Sequence, residues 1–361
     1  MLYYLCLFRQ YWSPLNVFQY ITFRAAFATL TALLLSLSIG PILIRKLKAW
    51  KEGPAPRKDV PLTHQTKAGT PIMGGLLILL STLVSSLLWA KPADRFIGLM
   101  MGVTLLLGIL GFADDYRKWI CKHREGLPSW IKLAVQVAIA TAVVAYLAVH
   151  PPHPQFSTMV YIPYTKNHLI YLGSLYYFMA ILMIVGSSNA VNLTDGLDGL
   201  AVGNLIFCTA TFVLFAYLAG HAKFSQYLGL IHVAEAGEIA VFLSALVGAE
   251  LGFLWFNAYP AQVFMGDTSS LLLGGVLATA ALVTKQELIL PIVEGIFLAE
   301  ALSVILQMAS YRLRRGKRIF RMAPLHHHYE IKGWPEPKVT VRFWILGMVL
   351  SLIALASLKI H

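Results

Sequence analysis

Charge is scarce in this sequence. Only 13% of its 361 residues are Asp, Glu, Lys or Arg, where a soluble domain usually carries about 25%. A chain so poor in charge cannot cover itself with a hydrated surface, and 58% of it is hydrophobic. Cysteine is scarcer still. Cys6, Cys121 and Cys208 are the three, and none falls in a C-x-x-C spacing. That argues against a disulfide framework and against a cysteine metal site. Low-complexity tracts and internal repeats are missing, and no polar loop is long enough to hold a soluble domain. The opening residues, MLYYLCLFRQYWSPLN, lack a basic start and a small-residue cleavage site, which predicts no cleavable signal peptide.

What the sequence has instead is a series of apolar runs, many reaching the ~20 residues that cross a bilayer core. Hydropathy predicts an all-α polytopic membrane protein, a single integral-membrane domain over residues 1–361. Its ten transmembrane helices are expected at 18–44, 71–90, 96–113, 131–149, 169–188, 198–219, 238–257, 269–284, 287–310 and 343–360. The thinnest break is TKQE at 284–287, and Pro291 and Glu294 interrupt the ninth run.

Cytoplasmic loops collect Lys and Arg. Segments 45–70, 114–132 and 311–342 hold 21 of the 29 such residues, so that side is expected to be cytoplasmic. With ten spans, both termini then face outward. The net charge of +12 is concentrated on the cytoplasmic face. Topology and attraction to anionic membrane lipid account for many of these cations, and no nucleic-acid partner is expected.

The acids are placed less evenly. Of seven aspartates, only Asp94 maps to the outer side. Five lie in short motifs at cytoplasmic ends of spans: GFADDYRK (111–118), NLTDGLDGL (192–200) and FMGDTSSLLLGG (264–275). Each alone reads equally well as a helix cap, which Asp and Asn favour. Five converging at one membrane depth read as a site. Carboxylates crowded together resist ionisation unless a cation neutralises them. Mg²⁺ suits phosphate chemistry because carboxylate and substrate oxygens share it. Lys67, Lys118, Lys122 and Lys132 stand ready for the rest of a polyphosphate. Acids, lysines and a metal at the membrane surface point to phosphoryl transfer to or from a lipid.

A second unusual stretch is RIFRMAPLHHHYEIKGWPEPK (318–338). Consecutive residues on one element do not all face one ion, and no further ligand with zinc spacing follows. A phosphate-binding or substrate-orienting role for one or two of these histidines is the stronger reading, and simple packing of the loop is the other.

KAGTPIMGG (67–75), GFADDYRK, NAVNLTDGLDGLA (189–201), GFLWFNAYPAQVFMGDTSSL (252–271) and RIFRMAPLHHHYEIKGWPEPKV (318–339) together resemble the bacterial phospho-N-acetylmuramoyl-pentapeptide transferases. These belong to the wider superfamily of polyprenyl-phosphate sugar-1-phosphate transferases. The resemblance runs end to end, and the HHHYE segment is its most specific part. It implies an enzyme of the bacterial inner membrane with a cytoplasmic cleft, dependent on Mg²⁺ and acting in cell-wall synthesis. The donor would be UDP-MurNAc-pentapeptide, the acceptor undecaprenyl phosphate, and the products lipid I and UMP. A homodimer is implied as well.

The resemblance also implies roles. Asp267 is the metal ligand, and Asp114 and Asp115 lie near the lipid phosphate and the metal. Asp195 and Asp198 belong to the nucleotide-side loop, with Asp198 and Lys67 near uracil and Phe264 stacked on that base. Asn192, Asn257, Gln307, His326 and His327 surround the nucleoside-sugar, and Lys118 and Lys132 meet phosphate. His326 is grouped with the catalytic residues. Three positions depart from the family pattern: Ile72 replaces a Thr, Ser269 replaces a Gly, and Glu250 stands where small or apolar residues are usual. A lipid phosphate has its second pKa near ~6, so it needs no strong base. Direct displacement is favoured over an aspartate as covalent nucleophile.

Two rivals remain at this stage. A transferase of GlcNAc-1-phosphate would share the aspartates but should lack APLHHHYE. A secondary transporter would place its acids near the bilayer midplane in repeat-related halves, not at the ends of spans.

Overall fold

In the computed structural model, residues 1–49, 69–120, 126–165 and 169–359 are described. Fifteen secondary-structure elements carry the argument. They are α1 (Ile21–Ala49), α2 (Gly75–Trp89), α3 (Arg95–Trp119), α4 (Ser129–Val149), β1 (Met159–Tyr161) and β2 (Leu169–Tyr171). Then come α5 (Leu175–Thr194), α6 (Leu200–Gly220), α7 (Ala222–Leu228), α8 (Ala236–Asn257) and α9 (Asp267–Val283). The last four are α10 (Leu290–Val293), α11 (Gly295–Leu313), α12 (Leu325–Ile331) and α13 (Glu336–Ala356). Eight of the helices are long and apolar enough to cross a membrane, and α2 and α9 are shorter apolar helices.

Every residue of α9 is buried, and α8 is nearly so. The other helices surround these two: α3 and α5 pack on α9, and α1 and α6 pack on α8. Lipid tails are as apolar as leucine, so close backbone approach, not hydrophobicity, holds such helices together. The sequence supplies it through small residues. The buried stripe of α1 is Arg24, Ala28, Ala32, Ser36, Gly40, Ile44 and Leu47, spaced by one helical turn. It lies against α8, where a side chain at Gly248 or Gly252 would collide with Thr29 or Ser36. Arg24, the one cation inside that stripe, is held by two bonds of 2.6 Å to Glu238 and by the Trp89 carbonyl.

Several predicted spans shift when folded. The third reaches Trp119, not residue 113, because Lys118 pairs with Asp114 one turn back and keeps that turn helical. The fifth begins as β2, paired antiparallel with β1, and its helix starts only at Leu175 and runs to Thr194. This pair of three-residue strands is a local feature of an all-α membrane fold. The tenth starts at Glu336, not residue 343, since Pro337 fits the first helical turn. At the thin break, Lys285 and Glu287 are buried and paired at 2.7 Å, with the Tyr176 hydroxyl donating to Glu287 at 2.8 Å. The ninth run divides further on, at Glu294, into α10 and α11.

Candidate active site

The centre forms where α3 meets the start of α9. Gly111 on α3 touches the Asp267 carbonyl so closely that any side chain there would collide. That approach brings Asp114 and Asp115 to the first turn of α9. Asp115 fills the cap position of a helix that has no cap of its own. Its carboxylate accepts from the Asp267 N–H at 3.0 Å, the Thr268 N–H at 2.9 Å and the Thr268 hydroxyl at 2.6 Å. The residue before the helix, Gly266, has φ +73° and no room for a Cβ beside Asp115. Its positive φ and its contact with Asp115 both require glycine.

Asp114, Asp115 and Asp267 are all buried, and their oxygens lie within 4.8 Å of one another. Lys118 and Lys132 tie the first and third together. Lys118 Nζ pairs with Asp114 and lies 3.2 Å from Asp267. Lys132 Nζ lies 2.5 Å from Asp267 and 3.5 Å from Asp114. Asn192 donates to Asp267 at 3.0 Å and to the Ser270 hydroxyl at 2.8 Å. Asp114 also accepts from the Leu127 N–H at 2.8 Å, which fixes the chain entering α4.

A cavity of about 240 Å³ opens on this cluster. Asp115, Lys118, Asp195, Gly196, Asn257, Phe264, Gly266 and Asp267 are in its wall, with Ile72 and Leu197. Asp195 follows α5 and accepts from the Gly266 N–H at 3.2 Å. Burial first, and then the Asp267 carboxylate, push the Asp195 carboxyl up to about 7, against the pull of that backbone bond.

The other expected residues are placed as follows. Asn257 faces the cavity, but its amide is engaged by backbone: it accepts from Gly199 N–H at 3.1 Å and donates to Val263 O at 2.9 Å. Asp198 is buried. Its carboxylate accepts from Ala261 N–H at 3.0 Å, and its own N–H donates to Glu336 at 2.8 Å. These two residues brace the 195–199 loop. Gln307, His326 and His327 do not line the cavity. Gln307 ties down the backbone of Ile319 and Phe320. His326 is buried with Nδ1 3.2 Å from Glu300, and its Nε2 abuts Gly196 without a hydrogen-bond partner among the described residues. His327 turns to Glu330 at 2.8 Å, and His328 accepts from the Arg321 N–H at 3.1 Å. The three imidazoles thus face three different partners. Lys67 lies outside the described residues.

Sequence reading missed Glu300 and Glu336. Glu300 accepts from the N–H groups of Leu325 at 2.5 Å and His326 at 3.2 Å, so it caps α12 from α11. An acid inside the apolar run IFLAEALSVILQ was the available signal, because such residues are rarely idle. The departures find homes. Ile72 is in the cavity wall, Ser269 packs on Gly75, and Glu250 accepts from the Thr209 hydroxyl at 2.9 Å.

Residues 97–285 match the family model described as Glycosyl transferase family 4. The chain is 52% identical to a phospho-N-acetylmuramoyl-pentapeptide-transferase of Endomicrobium trichonymphae, over 97% of this chain and 96% of that protein. It is 51% identical to the protein of the same name from Syntrophus aciditrophicus (strain SB), over 97% of both. For that of Desulfatibacillum aliphaticivorans the identity is 50%, over 98% of this chain and 97% of the relative.

Proposed function

This chain belongs to the phospho-N-acetylmuramoyl-pentapeptide-transferase family, and from that premise we propose that the cavity over Asp114, Asp115 and Asp267 is its phosphoryl-transfer site. The protein is a multi-pass enzyme of the bacterial inner membrane. It transfers phospho-MurNAc-pentapeptide from UDP-MurNAc-pentapeptide to undecaprenyl phosphate, giving lipid I and UMP in the first membrane step of peptidoglycan synthesis. Residues 1–361 act as one transferase domain. Ten spans place both termini outside and the cavity on the cytoplasmic face, where 21 of the 29 basic residues lie and a soluble nucleotide donor is at hand.

The observation that carries the site assignment is the shared pairing of two buried carboxylates, Asp114 and Asp267, with two lysines, close beside a third, Asp115, at an open cavity. The two ammonium groups offset at most two of the carboxylate charges, and a divalent cation would turn the cluster positive, as a pyrophosphate donor requires. The all-oxygen donor set fits Mg²⁺, with Asp267 as ligand and Asp114 beside it. When bound, the ion would neutralise and orient phosphate oxygens.

The chain's own groups do the rest. Lys118 and Lys132 bridge Asp114 and Asp267, so a phosphate entering the cavity meets the Lys118 ammonium in its wall, already held in place beside that of Lys132. They offset the charge that grows on the leaving UMP phosphate. Asn192, which also donates to the Ser270 hydroxyl, donates to Asp267 and holds its rotamer. An oxygen of the lipid phosphate forms a bond to the sugar-linked phosphorus as the bond to the UMP oxygen breaks. No proton need be removed first, since that phosphate is largely ionised at neutral pH, with its second pKa near ~6. Asp115 gives its oxygens to three hydrogen bonds at the start of α9. That engagement supports direct displacement over a phospho-aspartate at Asp115.

The test is reconstitution. Purified protein with Mg²⁺, undecaprenyl phosphate and UDP-MurNAc-pentapeptide should release UMP and form lipid I in equal amounts. UMP release with UDP-GlcNAc but not with the muramoyl donor would reassign the protein to the sister transferases.

A further inference from the structure

A second cavity, of about 590 Å³, opens between the end of α11 and the chain that follows it. Its wall includes Gln307, Tyr311, Arg312, Arg318, Met322 and Ala323. Arg312 and Arg318 bring two guanidinium groups to one pocket, and neither has a carboxylate partner among the described residues. Arg321 next door is different, because it donates to the Ile331 carbonyl.

The pocket is built from behind. Gln307 accepts from the N–H groups of Ile319 and Phe320 at 3.0 and 2.9 Å and donates to the Phe320 carbonyl at 2.9 Å. Ser310 donates to the Lys317 carbonyl at 2.9 Å. The loop carrying Arg318 is therefore tied to the helix carrying Arg312, and the two cations keep their spacing without a ligand. A guanidinium is permanently charged and matches a carboxylate through two parallel N–H groups. The pocket is shaped for organic anions of that kind.

It also lies near the phosphoryl-transfer cavity. Ala323 is three residues from His326, and His326 abuts Gly196 in the other cavity's wall. Three extended residues span at most about 10 Å, and a pentapeptide reaches about 17 Å. The phosphate cavity, at about 240 Å³, lies below the ~300–1,000 Å³ usual even for drug-sized ligands. It cannot hold a nucleotide, a sugar and a peptide together. Accepting the donor assigned above, on which this inference rests, we propose that the Arg312–Arg318 cavity seats the donor's pentapeptide and holds its carboxylates.

The experiment uses the full chain in neutral detergent, with Arg312→Gln and Arg318→Gln. Both side chains are exposed and have no carboxylate partner among the described residues, so folding should survive. Each variant is assayed with UDP-MurNAc-pentapeptide and with a donor whose peptide carboxyl groups are amidated. KM for the free-acid donor should rise about fivefold per arginine, the upper end for a partly exposed ion pair. The parent should prefer the free acid to the amide, and the variants should not. Equal KM in parent and variants overturns the proposal. So does a penalty equal for both donors and seen only in vesicles containing anionic phospholipid, which would make the arginines lipid anchors. If the parent releases no UMP from either donor, the transferase reading itself fails, an outcome distinct from the other two.

Discussion

Asp267→Asn isolates the charge at the centre of the cluster. The side chain keeps its size, so packing at the start of α9 is preserved. The cap on that helix also survives, because Asp115 bonds the backbone N–H of residue 267 and not its side chain. What changes is electrostatic. Asp267 accepts from Lys132 at 2.5 Å, Lys118 at 3.2 Å and Asn192 at 3.0 Å. An amide has one oxygen where the carboxylate has two, so it can accept from one lysine but turns an NH₂ donor toward the other. Each charge-assisted bond lost costs roughly 1.5–3 kcal/mol in a buried setting. Here the lysine side chains are 26% and 19% exposed, so solvent returns part of that and the effect on folding should be about 1–2 kcal/mol.

The effect on turnover should be larger. On the reading proposed above, a divalent cation would lose a carboxylate ligand, and the two ammonium groups lose one of the two carboxylates that hold them. Removing one preorganised electrostatic element typically costs about 10²–10³ in kcat, or ~2.7–4 kcal/mol. The assay is UMP release at saturating Mg²⁺ and both substrates, paired with a thermal melt in the same detergent. We expect at least a hundredfold loss of turnover with a melting shift of a few degrees. Near-parental turnover at saturating Mg²⁺ would falsify the assignment of Asp267 as metal ligand. Loss of the folded state would instead mean that the carboxylate mainly holds α3, α4 and α9 together.

Other expectations follow from single contacts. In a background lacking native cysteines, Ser129→Cys should react only with reagents that cross the membrane, while Tyr171→Cys should react from outside; the opposite pattern inverts the topology. His326→Ala removes the ring that abuts Gly196 and frees Glu300 from one bond, so turnover and melting temperature should fall together. His327→Ala should cost less stability, and zinc at one equivalent in the parent would contradict the separate partners of the three histidines. Asp195 gives a pH signature. Its carboxyl is raised from 3.8 to about 7 in the folded chain, so between those values the native state binds a proton that the unfolded state has released. Stability then falls as pH rises from about 4 to about 7 and levels above it. In chelator, Asp195→Asn should therefore gain stability relative to the parent between pH 5 and pH 8, and a constant difference across that range would show that the raised value is wrong.

Much of the architecture was legible because a bilayer leaves so few choices. Apolar runs must be helices that satisfy their own backbone, so composition and run length predicted the long apolar helices apart from their ends, but not the short α7 and α12. The ends failed for local reasons. A hydropathy window stops at charge, whereas α3 continues through Asp114, Asp115 and Lys118 because those charges pair with each other and with residues far along the chain. The same window cannot see that Leu169–Tyr171 has a strand partner ten residues earlier.

The acids of the site were legible as types, and Asp114, Asp115 and Asp267 do come together, but their division of labour was not legible. Asp115 shows why. Its neighbours in sequence suggest a helix terminus, and it does cap one, but the helix begins 152 residues later. Glu300 repeats the pattern across 25 residues with α12, and Glu336 across 138 with the 195–199 loop. In each case an acid on one element supplies the hydrogen-bond acceptor that the exposed N–H groups of another lack. A local motif cannot encode this, because the need arises only when two distant elements meet. It follows that the carboxylates of this centre divide into two kinds. Asp114, Asp115 and Asp195 each accept from a backbone N–H group, while Asp267 is held by side chains alone. Lysine and asparagine side chains can swing toward phosphate, whereas backbone N–H groups in a buried helix start cannot. On that physical ground Asp267 is the carboxylate of this cluster most able to exchange its partners for a metal ion during a catalytic cycle.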